Sequence, residues 1–360
     1  MDVAGRAERL ARRLDEAMLD GLLVIHPTNI RYLTGFSGAS QLLVRPSALT
    51  LVTDGRYAEQ AEQDLRAAGV TARIEVGRTE GERRAAVSGA AAGVRRLGLE
   101  AAHVSWAAQR ALAEAWPFDV DLVPTVGMVE ALRVVKDAGE IARVEAAAGI
   151  ADAALAAVRG RIADGLSERE LAVELEVEMR RLGAADRAFD LIVAAGPNAA
   201  KPHARPSDRR LREGDLVLLD FGALVDGYRS DVSRTFILGD PTPTQRRMLE
   251  LVTAAQAAGV AAVAPGVLAG EVDRVCRDLI VAAGWGDAFL HTTGHGIGLD
   301  LHELPWLEQE GDATLAPGHL VTVEPGVYLT DHGGVRVEDI VLITPDGARP
   351  LTHSPKDWKP

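Results

Sequence analysis

Two stretches of this chain end apolar runs on an acid. Asp220 closes Val217-Leu218-Leu219, and Glu324 closes Leu320-Val321-Thr322-Val323. A carboxylate at the end of a buried run needs a compensating partner. Asp231 lies eleven residues after Asp220, beyond Asp226-Gly227, a pair favoured in two-residue hairpin turns. A hairpin of that length brings both carboxylates to one face. Glu338 ends Val335-Arg336-Val337, behind Gly333-Gly334, which reads as a turn. With the two-residue strand period, Arg336 shares a face with Glu338, and Thr322 with Glu324. Taken singly, each acid is an ordinary strand-end or turn residue. As a set of four beside apolar strands, they are the hard oxygen donors that divalent cations prefer.

The four fall in an internal echo. Gly214-Asp215-Leu216-Val217-Leu218-Leu219-Asp220-Phe221-Gly222 and Gly318-His319-Leu320-Val321-Thr322-Val323-Glu324-Pro325-Gly326 place glycine, Leu-Val, an acid and a second glycine at the same offsets. Two strands can share such a pattern by chance. A duplicated half-domain explains more, each half giving two carboxylates to a site on a pseudo-twofold axis. Histidines add to this: His291, His295 and His302 fall within twelve residues, on a loop containing Gly294, Gly296 and Gly298. A lone histidine is usually structural, but three on a glycine-permissive loop mark a candidate site. The glycines are expected to let the backbone approach a bound ligand. Their spacing is not that of a dinucleotide-binding loop, and no βαβ unit frames them.

Other chemistries are excluded by what is missing. Asp220-Phe221-Gly222 spells the kinase metal-binding tripeptide, yet no kinase catalytic loop or glycine-rich phosphate loop accompanies it. There is no His-Glu-x-x-His helix, phosphate-cradling loop or Gly-x-Ser-x-Gly elbow. Cys276, the only cysteine, sits in a helical apolar pattern with Val272, Val275 and Ile280 and reads as core. One cysteine allows neither an intrachain disulfide nor a thiolate metal cluster. Net charge is −13, without a dense Lys/Arg run, so neither nucleic acid nor a membrane is expected as partner. Arg6, Glu8, Arg12 and Arg13 stand where a signal peptide needs its apolar stretch, and Leu251 to Gly270 is broken by Pro265-Gly266. A cytoplasmic location is expected.

These side chains need a scaffold, and 360 residues imply two domains. Residues 1–125 alternate helix (Arg6 to Leu19, Glu59 to Ala68) with strands (Gly21 to Ile25, Gln41 to Thr53 around Pro46, Ala72 to Val76, Arg96 to Leu99), the pattern of a small α/β domain. Val123-Pro124 through Met128 reads as a hinge, and a long helix from about Val129 to Gly160 opens a second domain, 129–360.

At these residues the chain resembles the pita-bread metallopeptidases, in the branch of aminopeptidase P and prolidase. The family's succession of Asp, Asp, His, Glu and Glu is matched by Asp220, Asp231, His295, Glu324 and Glu338. Pro202-His203 is similar to its substrate-contacting histidine segment, His291 and His302 to the histidines flanking the ligand, and Arg336 to its arginine. Arg31-Tyr32-Leu33-Thr34-Gly35-Phe36-Ser37-Gly38 and Thr53-Asp54-Gly55-Arg56-Tyr57 resemble the creatinase-type partner domain. The likeness covers nearly the whole chain. His319 departs from it, where relatives carry an apolar residue, and reads as a strand-opening residue without a site role.

The resemblance implies a creatinase-type α/β domain followed by a pseudo-twofold α+β pita-bread catalytic domain, assembled as a homodimer. It implies two divalent ions. Four carboxylates and one imidazole favour Mn²⁺ or Co²⁺, with Zn²⁺ as the alternative. Glu324 would move the water proton, His203 or His291 would stabilise the oxyanion, and His302 and Arg336 would orient substrate or carboxylates. His203 and His302 would contact the substrate, an Xaa-Pro peptide. Methionine aminopeptidases share the metal pattern but lack the N-terminal domain; creatinase and histone-chaperone relatives keep the fold but lose ligands. A non-catalytic binding protein on this fold is the alternative of a different class. Between longer Xaa-Pro peptides (aminopeptidase) and dipeptides alone (prolidase), the aminopeptidase is expected, because no long insertion between Gly35 and Tyr57 caps the cleft.

Overall fold

The alternation in the first third of the chain forms a six-stranded mixed sheet in the computed structural model, which describes residues 3–116 and 119–360. Its elements are α1 (Arg6–Glu16), β1 (Gly21–Val24), α2 (Pro27–Thr34), β2 (Ser40–Arg45), β3 (Ala48–Thr53), α3 (Ala58–Ala67), β4 (Arg73–Val76), α4 (Glu80–Ala90), β5 (Arg96–Glu100), α5 (Trp106–Ala115), β6 (Asp121–Thr125) and α6 (Glu130–Arg133). The strand order is β4-β3-β2-β1-β5-β6. Only β2 runs antiparallel to its neighbours. Leu23, Leu43, Val52, Leu97 and Leu99 pack against Val87 of α4, Ala91 at its end and Leu112 of α5. The two motif segments meet within this unit: Thr53 Oγ1 donates to Ala39 O at 2.7 Å, and Phe36 meets Tyr57 edge-on.

The boundary region differs from the sequence expectation. Val123-Pro124 belongs to β6, an edge strand, where proline costs no interior hydrogen bond. The long helix expected from Val129 is two helices, because the chain restarts at a new cap. Asp137 accepts from Glu140 N at 2.9 Å, and the Glu140 carboxylate accepts from Asp137 N at 2.9 Å. This reciprocal pair starts α7 (Ala138–Val158). The chain divides into two compact units between Arg133 and Val134.

The second unit continues with α8 (Glu168–Arg181), β7 (Asp186–Arg187), β8 (Ile192–Ala195), β9 (Leu216–Phe221), β10 (Ala223–Val225), β11 (Tyr228–Arg229), β12 (Val232–Ile237), α9 (Pro243–Ala262), α10 (Ala269–Ala282), β13 (Gly294–Gly296), β14 (Glu303–Leu307), β15 (Leu320–Val323), β16 (Gly326–Leu329), β17 (Gly333–Arg336), β18 (Asp339–Thr344) and β19 (Gly347–Pro350). Ser167 with Glu170 and Thr242 with Gln245 repeat the capping box at α8 and α9, each cap contributing about 0.5–2 kcal/mol. β12-β9-β8 form one sheet and β14-β13-β15-β18-β19 another, and β16 pairs with β17. Asp226-Gly227 is the two-residue turn between β10 and β11, both residues at positive φ. Gly333 and Gly334, expected as a turn, instead lie within β17.

The echo becomes a repeated layering. On β9, Val217, Leu219 and Phe221 pack on Leu171, Leu175 and Met179 of α8. On β15, Val321 and Val323 pack with Val272 and Cys276 of α10. Each such buried side chain contributes roughly 1.5–3 kcal/mol. The strand period then turns the alternate residues, ending in Asp220 and Glu324, to the opposite face. Cys276 is buried, and burial pushes its thiol up to about 12, so it is a core residue.

Candidate active site

Both strand ends lead into one cavity of about 540 Å³, lined among others by Asp220, Asp231, His295, Glu324 and Arg336. Asp231 immediately precedes β12 and Glu338 immediately precedes β18, so the hairpin partner of each echoed strand delivers the second acid. Ligand atoms of Asp231, His295 and Glu338 lie within 4.8 Å of one another. Glu324 joins them, its Oε1 being 3.3 Å from His295 Nε2, while Asp231 Oδ2 is 3.7 Å from the same nitrogen. Asp220 completes the set through Arg336, whose Nη2 donates to Asp220 Oδ2.

His295 is fixed by β13. Its N–H donates to Thr322 Oγ1 at 3.0 Å, and its Nδ1 lies 2.8 Å from Gly296 O. A carbonyl only accepts, so Nδ1 carries the proton and Nε2 turns toward the carboxylates, the arrangement of a metal-binding imidazole. The flanking glycines have a packing role. A Cβ at Gly294 would stand 2.0 Å from Thr322 O, and one at Gly296 would stand 2.1 Å from Leu304 O. They allow close approach of neighbouring backbone, which places His295.

The carboxylates do not balance their own charge. Burial, then Glu338, Asp220 and Glu324, raise Asp231 well above the ordinary carboxylate range. Burial, then Glu324 and Asp220, raise Glu338 likewise. Asp220 is raised by burial, partly offset by Arg336. Glu324 is the exception: burial raises it, but the neighbouring His295, with His291 and Arg336, outweighs this and brings it to about 2. Among the described residues, Asp220 Oδ1, Asp231 Oδ1 and Glu338 Oε1 are buried without a hydrogen-bond partner. Orphaned anionic oxygens around an imidazole nitrogen are what a divalent cation satisfies, so these residues fit a metal.

Arg336, 2% exposed, organises the far side. Besides Asp220 it donates to Tyr328 OH at 2.6 Å, Ser233 Oγ at 3.0 Å and Pro202 O at 3.3 Å. Ser233 Oγ donates onward to Glu338 Oε2 at 2.7 Å. Burial lowers the basicity of His291. Its Nδ1 faces Thr292 O at 2.8 Å and its Nε2 faces Tyr328 OH at 2.9 Å. The neutral ring therefore donates from Nδ1 and accepts from the tyrosine at Nε2. His302 stacks between His295 (4.4 Å, edge-on) and Trp306 (5.7 Å). Its basicity is lowered by burial and by His295. His203 lines the cavity from its exposed rim.

Tyr328, Ser233, Thr322 and Arg205 were not singled out as site residues by sequence. Strand period places Thr322 on the face of Glu324, and Ser233, two residues from Asp231, could have been flagged in the same way. Tyr328 and Arg205 carry no local signal. His319 opens β15, where its Nδ1 accepts from Ala316 N at 3.3 Å. Burial, then Lys136, lowers its pKa to about 4. It does not line the cavity. Among the described residues, no helix is long and apolar enough to cross a membrane.

Known proteins resemble this chain over nearly its whole length. The chain is 34% identical over 354 residues to an Xaa-Pro dipeptidase of Pyrococcus furiosus, covering 98% of this chain and 99% of that one. The structure matches an Xaa-Pro dipeptidase from Bacillus anthracis with TM-score 0.94 at 38% identity, covering 98% of each chain. It also matches an X-Pro aminopeptidase from Thermotoga maritima with TM-score 0.88 at 31% identity, covering 98% of this chain and 99% of that one. Residues 6–135 match the creatinase/prolidase N-terminal domain. Residues 142–345, which hold Asp220, Asp231, His295, Glu324 and Glu338, match metallopeptidase family M24. The chain is accordingly a hydrolase of metallopeptidase family M24, with the pita-bread catalytic fold behind a creatinase-type domain.

Proposed function

We propose that this protein is a two-metal exopeptidase that cleaves Xaa-Pro bonds, with the Xaa-Pro dipeptide as its principal substrate. The observation that carries the reading is the convergence of Asp220, Asp231, His295 and Glu324 on one cavity, with Glu338 within ligand distance of Asp231 and His295 and three carboxylate oxygens orphaned among the described residues. Divalent ions held there would supply Lewis acidity and an acidified water. The donor set favours Mn²⁺ or Co²⁺, with Zn²⁺ as the alternative. Glu324, anionic and beside His295, is placed to hold a proton in transit to the leaving nitrogen. Of the two candidate oxyanion donors, His291 Nε2 is engaged by Tyr328, which leaves His203 at the rim for that task.

Preference for the dipeptide, over the aminopeptidase expected from the short 35–57 segment, rests on two observations. The Pyrococcus and Bacillus relatives are Xaa-Pro dipeptidases. Among the described residues, the guanidiniums lining the cavity are Arg336 and Arg205. Arg336 is buried and bonded to Asp220, whereas the Arg205 side chain is 70% exposed, paired with Asp190. The acidic cluster suits the free amine of a substrate, and Arg205 suits the carboxylate that follows proline in a dipeptide. The Thermotoga aminopeptidase supports the second reading, longer Xaa-Pro peptides.

Ala-Pro, Ala-Pro-Ala-Lys, N-acetyl-Ala-Pro-Ala and Ala-Ala-Ala, offered to Mn²⁺- or Co²⁺-loaded enzyme, test this. Ala-Pro should turn over fastest. Faster cleavage of the tetrapeptide would make the protein an aminopeptidase. Comparable cleavage of the acetylated peptide would remove the amine requirement, and cleavage of Ala-Ala-Ala alone would remove the proline reading.

A further inference from the structure

The N-terminal unit holds a second convergence of metal-type donors. β1 and β5 lie side by side and parallel, Leu22 opposite Gly98, so the chain leaves both at the same edge of the sheet. His26 stands between β1 and α2, His103 in the turn after β5, and Glu130 opens α6. One ligand atom from each lies within 4.8 Å of the others. His103 Nε2 is 3.3 Å from Glu130 Oε1. The imidazoles of His26 and His103 lie face to face, with centroids 3.8 Å apart and planes 11° from parallel.

A buried polar network sets these positions from beneath. Glu100, 5% exposed, accepts from Ile25 N at 2.7 Å, His26 N at 2.8 Å and Asn29 Nδ2 at 2.7 Å. Asn29 Nδ2 also donates to Glu130 Oε1 at 2.7 Å, and Arg133 Nη1 donates to Asn29 Oδ1 at 2.9 Å. An ion pair between His103 and Glu130 accounts for their own contact alone. It does not account for a second imidazole held against the first, or for three donors from three separate segments meeting at one point.

We propose that His26, His103 and Glu130 form a second metal site, for a divalent transition ion of the Zn²⁺ class, tying the segments after β1 and β5 to α6. Two imidazoles and one carboxylate are borderline donors that suit Zn²⁺, in contrast to the oxygen-rich cluster of the catalytic unit. Donors around a four-coordinate ion with bonds of about 2 Å stand roughly 3.3 Å apart. His103 and Glu130 already have that separation. Parallel rings must splay for both to aim at one ion. His103, its side chain 29% exposed, has room to tilt, while His26 is pinned through its backbone N–H. Water completes the coordination from the open side.

The test is zinc stoichiometry of the whole protein, measured by elemental analysis after equilibration with Zn²⁺ and desalting. Wild type is compared with His103→Ala and Glu130→Gln, both partly exposed positions, with circular dichroism to confirm folding. Each variant should carry one Zn²⁺ fewer per chain than wild type, and its Mn²⁺-supported peptide hydrolysis should be unchanged. The same one-ion difference should persist in a His295→Ala background, which makes the outcome independent of the catalytic cluster. Equal zinc content in wild type and both folded variants would overturn the proposal.

Discussion

Arg336→Met isolates the countercharge that lets Asp220 exist as a buried anion. Methionine is unbranched and flexible enough to fill the stem's space, so the packing loss is small. Four acceptors lose a donor: Asp220 Oδ2, Tyr328 OH, Ser233 Oγ and Pro202 O. Two are hydroxyls with a remaining partner, His291 for Tyr328 and Glu338 for Ser233. The dominant cost therefore falls on Asp220, 8% exposed and left among like charges. Breaking one side of a buried pair costs about 3–5 kcal/mol. In chelator-treated protein this should appear as amide hydrogen exchange in β9 and β17 faster by roughly 10²-fold to a few 10³-fold. Metal-loaded protein should show less, because bound cations replace the missing charge, and Arg336→Lys should fall between. Exchange changed by less than tenfold in metal-free Arg336→Met would refute the assignment of Arg336 as the counterion.

Chelation should leave the protein folded but nearly inactive, with Mn²⁺ or Co²⁺ restoring turnover, since carboxylate ligands without a thiolate hold ions reversibly; full activity in metal-free protein would contradict the proposed centre. His295→Ala should lose metal, while His302→Ala and His203→Ala should retain it and slow turnover by roughly 10²–10⁴-fold; the opposite pattern in elemental analysis would reverse the roles. Arg205→Ala should raise KM for Ala-Pro by only about 2- to 5-fold, the scale of an exposed ion pair, and leave Ala-Pro-Ala-Lys unaffected; equal effects on both would exclude Arg205 as the carboxylate anchor. The imidazole of His319, held at about 4, stays neutral in the folded protein while the unfolded chain takes up its proton near pH 6.5. Its contribution to stability is therefore present above pH 6.5 and lost as pH falls toward 4. His319→Asn should flatten that part of the acid-denaturation curve, and an unchanged curve would show that other groups cause it.

The elements that place the site were legible because each carried a local signal. The apolar runs of β9 and β15, the Asp226-Gly227 turn and the acids at the strand ends act within a few residues. The helix break before α7 was overlooked although Asp137 and Glu140 spell a capping box. There the Ala-rich pattern of the whole stretch outweighed a signal that was present. Gly333-Gly334 misled for a different reason. Two glycines read as a turn, whereas in β17 the backbone of Gly334 runs where a Cβ would meet Ala199 O at 2.1 Å. That crowding comes from a segment 135 positions away, and no local pattern encodes it. Tyr328 and Arg205 were illegible on the same ground, since their roles come from tertiary neighbours alone.

That the site itself was the most legible part follows from its instability. Four clustered carboxylates, three of them buried, against one guanidinium and one imidazole weaken a fold, and well-packed apolar residues in their place are often neutral or stabilising. Propensity and core packing therefore give no reason for acids at the ends of β9 and β15 and at the openings of β12 and β18. Asp339 shows what a structural acid looks like a single position away. Equally buried, it is paired with Arg234 Nη2 at 2.8 Å and accepts from Gln256 and Thr352, and its carboxyl is held below the ordinary range despite burial. Asp231 Oδ1 and Glu338 Oε1 have no hydrogen-bond partner among the described residues, and both acids are raised by burial and by neighbouring carboxylates. The distinction between a ligand and a structural acid lies in that unmet charge. It predicts that Glu338→Gln, which removes one charge from the cluster, stabilises the metal-free protein, whereas Asp339→Asn, which removes the countercharge of Arg234 and Lys356, destabilises it by about 3–5 kcal/mol. Denaturation of both variants in the presence of chelator decides the matter: destabilisation of similar size in the two would show that Glu338 is structural, and the metal assignment would fall with it.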